Sequence, residues 1–354
     1  MKVPLTGLLP EDLTNLINPW GEKKYRAMQI FSWIQDKLAT SFDEMTDLSL
    51  HVRDLLKEYT CITWLEIAGR SDSPDFTTTK YLFKLPDETF IESVYMEEGA
   101  RKTICVSSQV GCPLYCTFCA TGRMGLFRNL DSGEIVEQVL AIQRDRKIKV
   151  SNIVFMGMGE PFLNYENTIK AANILIHPKG QAVASRRITI STVGIIPAIK
   201  RFTEEKHKFS LAISLNAVEN DSRSALMPIN KKHPLENLLD AAREYAYIAR
   251  KPLTFEYVLI EGKNDSLEDA RRFLSCIKGI RCKINLIPFN NIGDLHHRPS
   301  EEVIEKFYRF LQNGHRVVIL RWSKGDTVNA ACGQLYTSLT KRKEIAPNDT
   351  GLNA

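Results

Sequence analysis

Two hydrophobic periodicities divide the chain. Across residues 11–59 apolar side chains recur at helical spacing: Tyr25, Met28, Phe31, Trp33 and Ile34 mark one face, and Leu48, Val52, Leu55 and Leu56 another. Across residues 62–109 the pattern shifts to alternation, as in Thr79-Lys80-Tyr81-Leu82-Phe83-Lys84-Leu85 and Phe90-Ile91-Glu92-Ser93-Val94-Tyr95. Such alternation predicts half-buried strands, and on it Glu92 faces solvent.

From residue 103 short β-type runs alternate with longer amphipathic ones. Strands are predicted near 104–107, 153–156, 187–191, 211–215, 254–260 and 283–287. Helices are predicted near 133–146, 165–176, 235–248, 267–277 and 301–311, opened by Ser132, Asn164, Pro234, Ser266 and Ser300. Strands separated by helices imply an α/β fold with a parallel sheet, either doubly wound or closed towards a barrel; periodicity does not choose between them. In both, ligands sit at the carboxyl ends of the strands, so the chemistry is to be sought just after each strand. The expected organisation is a helical N-terminal domain (1–60), a β-rich connector (61–97), a core (98–328) and a C-terminal segment (329–354) with a frayed polar tail.

Composition narrows the class. The 354 residues are 44% hydrophobic, and 47 basic against 42 acidic side chains leave a net charge of +5, which permits a polyanionic partner without demanding one. The longest apolar runs fall far below the roughly 20 residues that span a bilayer. The N-terminus lacks the apolar stretch of a secretory signal, so a cytoplasmic protein without membrane contact is expected. Eight cysteines in such a chain point to metal or redox chemistry rather than to a disulfide scaffold.

The densest chemistry is Gly111-Cys112-Pro113-Leu114-Tyr115-Cys116-Thr117-Phe118-Cys119-Ala120-Thr121-Gly122, directly after the first core strand. Three thiolates spaced C-x3-C-x2-C can hold three irons of a cubane, whereas an ordinary electron-transfer cluster takes four cysteines. The fourth iron is then free for a substrate. A bland alternative places the three cysteines on one face of a buried helix, against which Pro113 and the flanking glycines argue. Zinc is the stronger rival; its structural sites ask for a fourth Cys or His, and none lies in the loop. After the second strand, Gly157-Met158-Gly159-Glu160-Pro161 combines backbone accessible to a ligand with a carboxylate suited to an ammonium group, although alone it also reads as a tight turn.

Together these motifs resemble the radical-SAM superfamily, whose members use S-adenosylmethionine (SAM) and a [4Fe-4S] cluster; the second is similar to its GGEP-type SAM motif. The likeness sharpens with Tyr25-Arg26-Ala27-Met28-Gln29-Ile30, Leu226-Met227-Pro228-Ile229-Asn230-Lys231-Lys232 and Ala330-Ala331-Cys332-Gly333-Gln334-Leu335. These resemble the RlmN/Cfr family of radical-SAM RNA methyltransferases. Gly159-Glu160-Pro161 with Asn164 is more similar to the RlmN branch, which methylates adenine C2 in 23S rRNA and tRNA, than to the Cfr branch, which methylates adenine C8.

The resemblance implies a partial (βα)6 barrel and a set of residue roles. Cys112, Cys116 and Cys119 would hold the cluster. Gly159, Glu160, Ser191, Ser214, Leu215, Asn216 and Asn290 would contact SAM, two molecules of which are consumed per turnover. Cys332 would carry the methyl group as S-methylcysteine, Cys105 would resolve the RNA adduct through a transient disulfide with Cys332, and Glu92 would accept a proton. The expected partners are 23S rRNA, tRNA and a low-potential donor such as flavodoxin or ferredoxin, with the chain a monomer. Two other classes stay open: a radical enzyme acting on a small molecule, and a metal-bearing RNA-binding protein without catalysis. Cys61, Cys276 and Cys282 read as small buried apolar residues.

Overall fold

In a computed structural model of the chain, residues 2–293, 295–315, 317–322 and 330–335 are described. The N-terminal helices are α1 (Pro10–Ile17), α2 (Lys24–Gln35) and α3 (Leu50–Tyr59), with the short strands β1 (Val3–Pro4) and β2 (Thr60–Cys61) paired parallel beside them. Their apolar faces join the same core as the sheet, and Ser132 donates its hydroxyl to the Gly7 carbonyl at 3.0 Å across the junction.

Strands β3 (Glu66–Asp72), β4 (Thr78–Lys84), β5 (Phe90–Glu98) and β6 (Arg101–Val106) form an antiparallel meander. From β6 the sheet turns parallel through β9 (Asn152–Phe155), β10 (Ile188–Thr192), β11 (Ser210–Ser214), β12 (Leu253–Leu259), β13 (Cys282–Pro288) and β14 (Val318–Leu320). A separate hairpin, β7 (Gln109–Cys112) with β8 (Gly125–Asn129), follows β6. The segment 66–98 is thus continuous with the ten-stranded sheet of the core.

The parallel strands lie side by side in chain order with no reversal, which resolves the architecture. A doubly wound sheet reverses its order at a switch point; this one winds in a single direction, as a barrel does. Among the described residues its first and last parallel strands, β6 and β14, do not pair with each other, so the barrel is partial. The connecting helices are α4 (Ser132–Arg146), α5 (Tyr165–Ile176), α6 (Ile196–Glu204), α7 (Asn220–Leu226), α8 (Leu235–Ala249), α9 (Leu267–Cys276) and α10 (Glu301–Gly314). Helix α4 is capped one residue earlier than the sequence pattern places it: Asp131 accepts from the Glu134 N–H, and Glu134 reaches back to Asp131 in a capping box.

The hairpin positions the cysteine loop through one glycine. Gly111 has φ +77°, and a Cβ there would meet the Gly125 carbonyl oxygen at 1.9 Å. Only glycine permits the shift in β7–β8 register that falls between Val110 and Gly111 and turns Cys112 into the site.

Candidate active site

The loop after β7 is not helical: Cys112 ends the strand, Tyr115 adopts φ +52°, and tight turns join Cys116 to Cys119 and Cys119 to Gly122. All three cysteines line one open cavity at the carboxyl ends of the parallel strands. Among the described residues no three Cys, His, Asp or Glu side chains form a compact cage for a single ion. A cubane takes each thiolate on a different iron, which suits a donor set spread along one wall. Burial pushes the Cys112 thiol up to about 12 and raises Cys116 and Cys119 as well, so these sulfurs ionise only with positive charge supplied beside them.

Across the cavity lies the turn after β9. Gly159 has φ +98°, and a Cβ on it would approach Gln109 Cβ to 2.6 Å, so the turn can lie against the hairpin only as glycine. The adjacent Glu160 N–H donates to Gln109 Oε1 at 2.8 Å. Its carboxylate accepts from the Phe162 and Val193 N–H groups at 3.0 and 2.9 Å. Burial nevertheless raises this carboxyl to about 7, against the lowering effect of those donors. An ammonium entering the cavity would relieve that cost.

Ser191, Ser214 and Asn216 line the same cavity, from β10, β11 and the residue pair beyond β11. Leu215 is buried and its side chain is not part of the wall; it contributes backbone, its N–H donating to the Glu256 carbonyl at 2.9 Å. Asn290 also stands behind the wall, donating from Nδ2 to the Cys332 carbonyl at 3.1 Å. Sequence reasoning overlooked Glu256. This buried carboxylate on β12 lies in the wall and accepts the Ser191 hydroxyl at 2.7 Å and the Ser214 hydroxyl at 3.5 Å. Its signal was a lone charge inside Phe255-Glu256-Tyr257, within a strand that parallel pairing covers on both faces.

Cys332 lines the same cavity as the loop cysteines. Its segment docks on the cysteine loop: Ala120 N–H donates to the Gly333 carbonyl at 2.7 Å, and the Thr121 hydroxyl to the Leu335 carbonyl at 2.5 Å. Cys105 is buried on β6 outside the wall. Burial raises its thiol above the ordinary range, and negative charge on Cys332 raises it further, which places the two sulfurs in one electrostatic neighbourhood. Both also feel Glu256 and Arg321. All eight cysteines are free thiols, with Cys282 buried and Cys61 and Cys276 half-buried away from the cavity.

Glu92 departs from the strand-alternation expectation. It is 4% exposed and paired with Lys80 Nζ at 3.0 Å, because β5 lies between β4 and β6 with both faces covered. It does not line the cavity; the Ser107 hydroxyl donates to its carbonyl at 2.6 Å, near the end of β6.

Comparison with known proteins gives the family. Residues 3–62 match the ribosomal RNA large subunit methyltransferase N-terminal domain, and residues 106–274 match the radical SAM superfamily. The dual-specificity RNA methyltransferase RlmN of Geobacter sulfurreducens is 45% identical over 96% of this chain and 94% of its own length. The chain belongs to the RlmN family. A probable RlmN of Thermotoga maritima is likewise 45% identical, over 96% of this chain and 99% of its own. A solved radical SAM methyltransferase from Sphaerobacter thermophilus superposes with a TM-score of 0.90 at 41% identity, covering 94% of this chain and 99% of that one. RlmN membership brings the cubane cluster and SAM as the family's cofactors, and the three-thiol wall facing Glu160 is a donor set that fits them. Among the described residues no helix is long and apolar enough to cross a membrane.

Proposed function

We propose that this chain is a dual-specificity methyltransferase that methylates C2 of an adenine in 23S rRNA, at the peptidyl-transferase centre, and of the adenine 3′ of the anticodon in tRNA. One observation carries the reading: Cys332 shares a cavity with Cys112, Cys116 and Cys119. Adenine C2 lies between two ring nitrogens and is too electron-poor to attack a methyl donor as an ordinary nucleophile. A radical route answers that difficulty, and a nearby thiol can carry the carbon.

Cys112, Cys116 and Cys119 would hold a [4Fe-4S] cluster through three ligands, and Glu160 would receive the SAM ammonium, with the backbone at Gly159 and Leu215 and the side chains of Ser191, Ser214, Asn216 and Asn290 shaping the rest of the pocket. When bound, the cluster and SAM supply a 5′-deoxyadenosyl radical. Cys332 is the methyl carrier, two molecules of SAM being used per turnover, and its sulfur bridges enzyme and RNA in the adduct. The adduct radical would give up one electron to the enzyme's redox partner and its C2 proton to Glu92, whose carboxylate Lys80 holds in place. Cys105, as a thiolate, would then attack the Cys332 sulfur, so that the S–S bond forms as the sulfur–carbon bond to the RNA breaks; the released carbon takes up a proton to become the methyl group, and an external thiol reduces the transient disulfide. The base must leave its stack to reach the cavity. A low-potential flavodoxin or ferredoxin serves as donor to a cytoplasmic monomer.

Reconstituted enzyme incubated with SAM, reductant and either RNA tests the reading by mass spectrometry of the nucleosides. The expected product is 2-methyladenosine from both substrates. Product at C8 alone, or zinc in place of iron with no 5′-deoxyadenosine, sinks it.

A further inference from the structure

Arg223 on α7 is the largest fully buried side chain among the described residues, with 0% exposure. A buried guanidinium ordinarily sits against a carboxylate, because removing a charge from water is costly. Here, among the described residues, every acceptor is neutral: Nε donates to the Leu215 carbonyl at 3.0 Å, Nη1 to Asn230 Oδ1 at 2.9 Å, and Nη2 to the Val193 and Ser214 carbonyls at 2.6 and 3.2 Å. Those contacts tie the loops after β10 and β11 together, yet carbonyl dipoles alone leave a full positive charge uncompensated inside the protein. Burial pushes Arg223 down to about 10, and negative charge on Cys116 acts against that lowering.

The fold brings the two together. The Thr117 N–H, beside Cys116, donates to the carbonyl of Leu226 at the end of α7 at 3.0 Å. Cys112, Cys116, Leu226 and Met227 belong to one small apolar cluster, and Arg223, three residues before Leu226, is itself fully buried, so both groups lie in a low-dielectric interior. Three thiolates outweigh the core charge of an oxidised cubane, leaving the site net negative, and one added electron makes it more so. The missing anion of Arg223 and the missing cation of the cysteine loop answer each other.

We propose that Arg223 is the built-in counter-charge of the cluster site, a positioning residue that favours the reduced cluster. The inference rests on the cluster reading above. Positive charge held in a dry interior stabilises the more negative redox state, and net charge and hydrogen bonding around a cluster set its potential.

The test is a potentiometric titration of the reconstituted full chain with dithionite and mediators, following the reduced cluster by EPR, alongside iron and sulfide analysis. Arg223→Met is expected to lower the reduced-to-oxidised ratio at fixed potential about tenfold, which is about 59 mV for a one-electron couple. Arg223→Lys keeps the charge while losing the fork, and should stay near the wild-type midpoint. If Arg223→Met does not retain iron, Arg223→Gln takes its place, since its amide still donates to the carbonyls without charge. A neutral variant that titrates with the wild type, or a lysine variant that shifts as far as the neutral one, overturns the proposal. Wild-type protein that assembles no cubane cluster instead defeats the site reading on which it rests.

Discussion

The Thr121 hydroxyl donates to the Leu335 carbonyl at 2.5 Å although the two residues lie 214 positions apart in the chain. This bond and its neighbour from Ala120 to Gly333 fasten the segment bearing Cys332 onto the cysteine loop. Thr121→Val leaves the buried carbonyl of Leu335 without its donor, a loss of about 1–3 kcal/mol. Hydrogen exchange should therefore quicken at the amides of Ala120 and Gln334 by about fivefold or more. Unchanged protection at both would show that the segment is held by other contacts.

The thiols divide by duty. Cys116→Ala should abolish iron binding, whereas Cys332→Ala should retain the full iron content and visible absorbance of the wild type while transferring no methyl group to RNA. Iron analysis and radiolabelled SAM decide both. A Cys332→Ala protein that still methylates RNA would remove the carrier role.

Glu160 makes stability depend on pH. Its folded carboxyl sits at about 7 against an ordinary 4.5, so the folded chain keeps a proton that the unfolded chain releases in between. This contribution is complete below about 4.5 and is lost as pH rises through about 7, with an upper magnitude of about 3 kcal/mol. In cluster-free protein, Glu160→Gln should flatten that part of the stability profile in denaturant titrations from pH 4.5 to 8. Parallel profiles for the two proteins would contradict it.

The same residue predicts how SAM binds. Because a cation favours the ionised carboxylate, binding should release a proton below about pH 7, and affinity should fall by up to about tenfold for each pH unit beneath it. Calorimetry in buffers of different ionisation enthalpy measures the proton directly. No proton release at pH 6 would separate Glu160 from the ammonium.

Glu256→Ala strands the Ser191 hydroxyl in the cavity wall and is expected to weaken SAM binding roughly tenfold, the equivalent of about 1.4 kcal/mol. Glu256→Gln keeps an acceptor and should lose less. Equal losses in the two variants would point to charge rather than to hydrogen bonding.

Much of this was legible in the chain. The six principal strands announce themselves as short apolar runs, and the C-x3-C-x2-C loop lies after the first of them, where its position at a strand end gives it meaning. What escaped was either short or non-local. β14 has three residues, α7 has seven, and the β7–β8 hairpin owes its shape to Gly111 meeting Gly125 rather than to any periodicity. Glu92 misled because alternation predicts one wet face, a rule that fails for a strand covered on both sides. Glu256 and Arg223 stand in apolar contexts that mark them as unusual, but their partners come from loops far away in sequence, and Leu215 looked like a wall residue only because its neighbours are. The part of the expected C-terminal segment beyond residue 335, with its polar tail, lies outside the described residues.

The position of the cavity bears on the kind of molecule it can serve. It opens at the carboxyl ends of the parallel strands and is a mouth, not a passage through the sheet. A nucleotide in the middle of a polymer continues in both directions, and it can present its base to such a mouth while its two neighbours stay outside. An internal base of a long strand thus needs no free chain end to be reached.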